Sequence, residues 1–97
     1  MKNQYNSNNQ EHGYFEVYYS NGNLDYKGNF VNGKRDGLWE VYHSNGKLQY
    51  KGCYVNNKRH GYWERYFSSG KLWFKGYYIN GNRHGLCEVY NNKTFYI

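Results

Sequence analysis

The sequence predicts an all-β fold, a single-layer, twisted antiparallel meander of about seven strands with no crossover helix. Three observations lead to this fold class. Aromatic residues make up 23% of the chain, with fourteen tyrosines, and such residues suit a pleated, half-buried surface. Alanine and proline are absent, so the residue that best favours helices is missing. Identical residues also recur every 24 positions, with two turn signals in each unit.

The repeat is visible as columns of identical residues. Three columns run through four units without an insertion: Gly13, Gly37, Gly61 and Gly85; Glu16, Glu40, Glu64 and Glu88; and Tyr18, Tyr42, Tyr66 and Tyr90. They define three full units, 13–36, 37–60 and 61–84, and a partial capping unit, 85–97, of the kind that repeat arrays need at their ends. Residues 1–12 are polar and rich in asparagine, so we expect a disordered tail there.

The first turn of each unit predicts a tight hairpin. Asn21-Gly22, Asn45-Gly46 and Ser69-Gly70 are typical of a two-residue type I′ loop, in which both central residues have positive φ. Such a loop places Glu16 opposite Lys27 and Phe15 opposite Gly28. The later units repeat this as Glu40 with Lys51, Glu64 with Lys75, Trp39 with Gly52, and Trp63 with Gly76. Each hairpin is therefore expected to form one ion pair and to cover its own strand glycine with a ring.

Alternation along the strands sorts side chains onto two faces. One face receives Phe15, Val17, Tyr19, Leu24, Tyr26, Gly28 and Phe30 and their equivalents, and the other is polar with a stripe of tyrosines. A single layer has no second layer to bury the aromatic side. Either neighbouring rings pack on one another, or a partner covers them. Trp73 is assigned to the polar face, where its exposure makes it a candidate partner anchor.

The second turn of each unit predicts a longer, basic loop. Arg35, Arg59 and Arg83, with Lys34 and Lys58 beside them, are expected to line one edge of the sheet. The tyrosine column, Tyr18, Tyr42 and Tyr66, lies nearby. Charge combined with stacking rings is typical of single-stranded nucleic-acid sites, and acidic lipid headgroups would also be attracted. The alternative is a solvated row of turns that only aids solubility.

With these columns in view, the chain resembles the MORN repeat family in its variant form. That form is typified by Gly-x-Trp-x-x-Tyr, Asn-Gly-Lys-Leu, Lys-Gly-x-Tyr and Asn-Gly-Lys-x-x-Gly. The matching residues are Gly37 to Tyr42, Asn45 to Leu48, and Lys51 to Tyr54, within a similarity that covers residues 13–90. The resemblance implies an extended single-layer sheet that acts as an adaptor, a dimerisation element or a membrane-proximal tether. Departures stand at Asn57, Ser69 and Cys87.

The sequence argues against catalysis, a metal site or a cofactor. Each of the first three column glutamates has a predicted lysine partner, and no Ser/His/Asp or Cys/His set converges. His60 and His84 occupy equivalent positions two strands apart, about 9.5 Å, which is too far to share one ion. Cys53 and Cys87 are interpreted as reduced packing residues because they stand at different positions of the repeat.

The favoured hypothesis is a non-enzymatic module that binds a cytoplasmic protein. Antitoxin-like neutralisation, or inhibition of a nucleic-acid enzyme by a mobile-element protein, are two versions of it. The net charge of +6 supports a second hypothesis, direct binding of nucleic acid or an acidic membrane surface through the basic turns. Self-association through an edge or a face is a third. The sequence shows no signal peptide and no apolar run long enough for a membrane helix.

Overall fold

The computed structural model describes residues 2–89 and 93–96, and these form one eight-stranded antiparallel sheet in which the strands follow chain order. The strands are β1 Gly13–Tyr18, β2 Leu24–Val31, β3 Lys34–Tyr42, β4 Leu48–Val55, β5 Lys58–Tyr66, β6 Leu72–Ile79, β7 Asn82–Val89 and β8 Lys93–Tyr96. The predicted all-β meander is confirmed, with eight strands instead of about seven. Part of the predicted capping unit, residues 90–92 and 97, lies outside the described residues.

The Asn-Gly hairpin loops differ from the predicted form. The Gly22 N–H donates to the Tyr19 carbonyl at 3.0 Å, and the Tyr19 N–H donates to the Asn23 carbonyl at 2.8 Å. Gly22 has a φ of 91°, whereas Asn21 is not among the positive-φ residues. The loop is therefore a type I turn closed by a glycine bulge, and the type I′ prediction is wrong here. The Asn21 side chain stabilises this form by accepting the Asn23 N–H at 2.9 Å.

The second connection of each unit is the tight one. Val31 pairs with Lys34, and the two residues between them, Asn32 and Gly33, have φ values of 50° and 81°. Two positive φ values in a two-residue loop define the type I′ turn. The predicted longer, basic loop is therefore wrong, because β3 already begins at Lys34. The same change applies one and two units later to Arg59 and Arg83, which also lie on strands.

The predicted hairpin register is confirmed, but the rings that cover Gly28 and Gly52 come from the following strand. Phe15 pairs with Gly28, and Trp39 pairs with Gly52. A methyl group on Gly28 would nevertheless meet the Trp39 ring at 2.4 Å. The cause is a bulge, since the β2–β3 register shifts between Lys27 and Asn29 and lets the Trp39 indole lie over the glycine. The prediction that each hairpin covers its own glycine is wrong for this reason.

The aromatic face is the core of the protein. Its buried members are Phe15, Phe30, Trp39, Tyr54, Trp63, Phe74, Tyr78 and Cys87. Their rings pack on neighbours across the strands, mostly edge to face, as with Phe30 and Trp39 at 4.9 Å between ring centres. Such pairs stabilise a sheet beyond simple burial. Of the two alternatives left open by the sequence, self-packing accounts for these eight residues without a second layer.

Residues 2–12 fold back along β1 and do not form the expected disordered tail. The Asn3 N–H donates to the Tyr14 carbonyl, and the Glu16 N–H donates to the Asn3 side chain, both at 2.8 Å. The Tyr5 ring packs edge-on against Phe15 at 5.7 Å. Composition alone misses this arrangement, because an open strand edge offers unpaired backbone groups that a polar segment can satisfy.

Candidate partner-binding face

The four arginines of the chain all place their guanidinium groups over rings of the aromatic face. The Cζ atom of Arg35 lies 5.3 Å from the Trp39 ring centre and 5.4 Å from that of Tyr54. Arg59 repeats this over Trp63 at 5.3 Å and over Tyr78 at 5.5 Å, and Arg83 lies 4.7 Å from the ring centre of Phe74. Distances within about 6 Å are those of cation–π contacts.

Strand pairing explains why the arginines lie there. Directly opposite residues of an antiparallel pair share a face, and Phe30 lies opposite Arg35. Tyr54 with Arg59 and Tyr78 with Arg83 repeat the pair. The predicted basic turn row is thus corrected: its arginines belong to the aromatic face. Lys34 and Lys58 do not accompany them, because they lie opposite the exposed Val31 and Val55.

A cluster in the third unit, Arg65, Phe67 and Trp73, departs from the repeat. The equivalent positions hold Val17, Val41 and Val89; Tyr19 and His43; and Asp25 and Gln49. The Trp73 indole stacks on Phe67 with ring centres 5.6 Å apart and planes at 25°. The Arg65 Cζ lies 4.5 Å from the Trp73 ring centre and 5.6 Å from that of Tyr50. Sequence reasoning missed Arg65 and Phe67, although the arginine at position 65, in a column that is otherwise valine, is a signal.

The assignment of Trp73 to the polar face is wrong. Arg65 pairs with Phe74, and Tyr66 pairs with Leu72, so a bulge leaves Trp73 without a cross-strand partner. The bulge interrupts the two-residue alternation on which the assignment depended. Trp73 instead stacks with Arg65, which also lies over Tyr50 of the aromatic face. Trp73 is therefore part of the aromatic face. Its predicted exposure does hold, since 43% of Trp73 is accessible.

A hollow of about 400 Å³ opens on the aromatic face beside Arg35. Its walls are formed by Glu11, Tyr26, Phe30, Gly33, Arg35, Trp39, Val41, Tyr50 and Asn57. Glu11 is the acidic residue of this wall, and Asp25 lies at the same end of the face beside Tyr19. Arg59, Arg65 and Arg83 lie farther along the sheet, away from the carboxylates of Glu11 and Asp25. The aromatic face carries an excess of positive charge as a result.

The predicted tyrosine column lies on the polar face, where its phenols bind the glutamate column. The Tyr18 hydroxyl donates to Glu16 at 2.8 Å and the Tyr42 hydroxyl to Glu40 at 2.8 Å. Tyr66 donates to Glu64 at 2.9 Å. These tyrosines are therefore separated from the arginines, which lie on the opposite face. The predicted combination of this column with the arginines is not formed.

The ion pairs of the polar face connect neighbouring units. Glu40 pairs with Lys27 at 3.2 Å and Glu88 with Lys75 at 3.6 Å, so each glutamate contacts the lysine of the preceding hairpin. The predicted pairing within a hairpin is correct for the strand register, since Glu40 lies opposite Lys51. It is wrong for the ion pair, which Glu40 forms with Lys27 instead. Glu16, in the first unit, binds Lys2 at 2.7 Å. The hydrogen bond from Lys2 is the largest cause that lowers the pKa of Glu16 to about 2.

The raised pKa of the Tyr42 phenol predicts that the protein loses stability in alkaline solution. Burial, together with the smaller effect of the hydrogen bond to Glu40, raises the pKa of Tyr42 to about 12. Because the folded pKa exceeds the ordinary value of 10.0, the stabilisation is complete below pH 10 and is lost as pH rises from 10 to about 12. NMR titration of the tyrosine ring carbons should give this late midpoint. In Glu40→Gln the midpoint should move toward 10, and an unchanged midpoint would contradict the role of Glu40.

The described part of the chain gives no support for metal chemistry. No group of three His, Cys, Asp or Glu side chains there could hold an ion. His60 and His84 are exposed and lie opposite Cys53 and Tyr77, respectively. Cys53 and Cys87 are both free, and Cys53 is exposed, so it is not the packing residue that the sequence suggested. No helix long and apolar enough to cross a membrane occurs among the described residues.

Comparison with known families supports the repeat. The family model described as the MORN repeat variant matches residues 11–32, 35–56 and 59–80, which together make up more than half of the chain. The starts of these matches recur at the 24-residue spacing seen in the sequence. A search of curated proteins found no match. MORN repeats are generally associated with binding proteins or membrane lipids, and this chain belongs to the MORN repeat variant family.

Proposed function

We propose that this chain is a non-enzymatic binding module that docks a cytoplasmic partner protein on its aromatic face and, in an antitoxin-like manner, inhibits it. The observation that carries the proposal is the placement of all four arginines over the rings of one face. Lys27 and Lys75 lie on the other face and pair with Glu40 and Glu88 there. The two faces are therefore chemically distinct, and the positive charge available to a partner is that of the arginines on the aromatic face.

Stacked arginine suits a protein partner. A guanidinium group that lies on a ring keeps its N–H donors in its own plane, where a carboxylate can accept two of them. Tryptophan, tyrosine and arginine are also the residues that contribute most at protein interfaces. The sheet holds these side chains in place before binding, which lowers the conformational entropy lost on association. An acidic protein surface would meet preorganised donors.

Two further features support a non-catalytic, cytoplasmic role. The glutamates of the polar face already accept hydrogen bonds from Tyr18, Tyr42 and Tyr66, so these carboxylates are held as structural groups. Cys53 is an exposed free thiol, and such thiols persist in reducing compartments. The first point favours binding over catalysis, and the second favours a location inside the cell.

Direct binding of nucleic acid or acidic lipid is the second candidate, and the excess arginine charge favours it. Single-stranded nucleic acid, however, needs open ring faces on which bases can stack. Trp39 and Trp63 are only 2% and 1% exposed, and Arg35 and Arg59 already lie over them. Stacking on these rings is therefore blocked, which places polyanion binding below protein binding.

A charge-matched pair of triple variants tests the proposal. In the first variant, Arg35, Arg59 and Arg83 are changed to glutamine, which removes three charges from the aromatic face. In the second, Lys27, Lys51 and Lys75 are changed to glutamine, which removes three charges from the polar face. Tagged protein from nuclease-treated host lysate should retain a stoichiometric partner protein in the wild type and in the lysine variant. The arginine variant should lose at least about 90% of it, since each buried, charge-assisted contact contributes to affinity.

The pattern of capture separates the candidates. A partner kept by the arginine variant but lost by the lysine variant would move the site to the polar face and overturn the proposal. Material that disappears on nuclease treatment, and whose binding falls steeply with salt, would establish polyanion binding instead. Circular dichroism of both variants checks that each still forms the sheet, so that loss of capture can be assigned to the missing charges.

A further inference from the structure

We propose that the cluster of Arg65, Phe67 and Trp73 is the specificity anchor of this module. It would receive a side-chain carboxylate from an acidic segment of the partner protein, with an apolar side chain next to that carboxylate. The inference rests on the proposed function, because it assumes that a protein docks on the aromatic face. It goes beyond it by naming the residues and the chemistry that select the partner.

The first support is that the fold does not need Arg65 or Trp73. The first two units form the same hairpin with Val17 and Val41 in place of Arg65, and with Asp25 and Gln49 in place of Trp73. The residues that recur in every unit supply the sheet and its core. Arg65, Phe67 and Trp73 are separated in sequence but meet in space as a single stack. An arginine in a column that is otherwise valine, placed against an exposed tryptophan, has a local reason other than folding.

The second support is the exposed area of Trp73. Its indole is 43% accessible, although stacking on Phe67 at 5.6 Å and on Arg65 at 4.5 Å fixes its orientation. An ordered, half-exposed tryptophan loses little conformational entropy when a partner covers it. Indole rings in this position are typical of the few residues that dominate an interface. Trp39 and Trp63 cannot act in this way because they are buried.

The third support is the state of Arg65. Its Nε atom is buried and has no hydrogen-bond partner among the described residues. Buried donors are nearly always satisfied in proteins, so an orphan donor calls for an explanation. The guanidinium, with its Nε–H and terminal N–H groups, lies against the rings of both Tyr50 and Trp73. A carboxylate that accepts two of these N–H groups would pair the charge in the geometry that arginine favours.

The surroundings of the cluster define the rest of the partner segment. A hollow of about 430 Å³ lies beside Phe67 and is bounded by Ser68, Ser69 and Lys71. Lys47 reaches the same loop, where its Nζ donates to the Ser69 carbonyl at 3.0 Å. Two lysines and Arg65 favour further acidic residues, and the Phe67 side of the hollow favours an apolar one. This charge complementarity points to an acidic protein segment as the occupant.

The three tryptophans provide a built-in test. The indole N–H groups of Trp39 and Trp63 donate to the carbonyls of Asn29 and Cys53 at 3.0 and 3.1 Å, so their NMR signals report the fold, whereas the Trp73 signal reports binding. The probe is a blocked hexapeptide of glutamate and phenylalanine, and its control has glutamine in place of glutamate. We expect saturable shifts of the Trp73 indole and Arg65 Nε signals with the acidic peptide only. Arg65→Val should weaken binding at least tenfold.

Each other outcome overturns a defined part of the inference. Shifts at Arg35, Arg59 and Arg83 without any at Trp73 would reject the anchor and leave the proposed function standing. Equal shifts with the glutamine peptide would reject carboxylate recognition. No shift at any arginine would reject both the anchor and an acidic partner. If Arg65→Val moves the Trp39 and Trp63 signals, Trp73→Gln replaces it, since Gln49 occupies the equivalent position in a folded unit.

Discussion

Replacing Trp63 with alanine is expected to destabilise the protein by about 3–5 kcal/mol, the range for truncating a buried tryptophan. The indole is 1% exposed and packs against Tyr54 and Tyr50, with ring centres 5.0 and 5.7 Å away. Its N–H also satisfies the Cys53 carbonyl. In a single sheet no second layer can close over the cavity, so relaxation would recover little. Because small domains are stable by only about 5–15 kcal/mol, the variant should be close to unfolding at room temperature.

Urea denaturation monitored by circular dichroism measures this loss, and Trp73→Ala is the matched control. The same side chain is removed there, but from a site where 43% of it is accessible. We expect the control to lose about 1 kcal/mol or less, as is usual for changes outside the core. Equal losses at the two positions would show that Trp73 is a core residue, which would also weaken its assignment as an anchor.

The sheet and its hairpin register could be predicted because they depend on local, repeated signals. A glycine turn at a fixed place in each unit determines which residues face each other, and the pairing of Glu40 with Lys51 is a direct consequence. The burial of Phe15, Trp39 and Trp63 results from the two-residue alternation within the regular parts of the strands. A 24-residue repeat tests such an inference three times within one chain.

The turn types could not be assigned in the same way. The first unit contains two Asn-Gly turns, Asn21-Gly22 and Asn32-Gly33, and either could be the two-residue loop. The loop at Asn21 takes the bulged form, and the positive φ values fall instead on Asn32 and Gly33. Exchanging the two turns moves Arg35 from a loop onto a strand. The error in turn type therefore became an error in the functional surface, because the arginines were assigned to an edge instead of a face.

The bulges made the candidate site hard to predict. Alternation assigns a face to every strand residue, but a bulge adds one residue and moves the later residues of that strand out of the pattern. Trp73 lies at such a bulge, and the β2–β3 bulge similarly brings Trp39 over Gly28. Comparing the columns of the repeat shows that the third unit alone has arginine, Arg65, where the others have valine. That difference indicates a site without any knowledge of the bulge.

Replacing Gly52 with alanine should destabilise the protein by about 1–3 kcal/mol through overpacking. The backbone at Gly52 is compatible with alanine, since this glycine is not among those with positive φ. On backbone entropy alone the change would stabilise the protein by about 0.4–1 kcal/mol. A β-carbon at this position, however, would lie 2.2 Å from ring atoms of Trp63. That ring is buried and hydrogen-bonded, so it cannot move aside, and the steric effect decides the sign.

A double-mutant cycle separates this clash from a general weakness of β4. In a Trp63→Leu background the smaller side chain leaves space over residue 52, so the cost of Gly52→Ala should fall by at least about 1 kcal/mol, a coupling typical of residues in contact. Urea midpoints of the four proteins give the coupling. Simple additivity would mean that alanine harms the strand for a reason other than Trp63. A strong coupling would establish that the strand glycines recur because the tryptophan of the next strand occupies the space that a side chain would need.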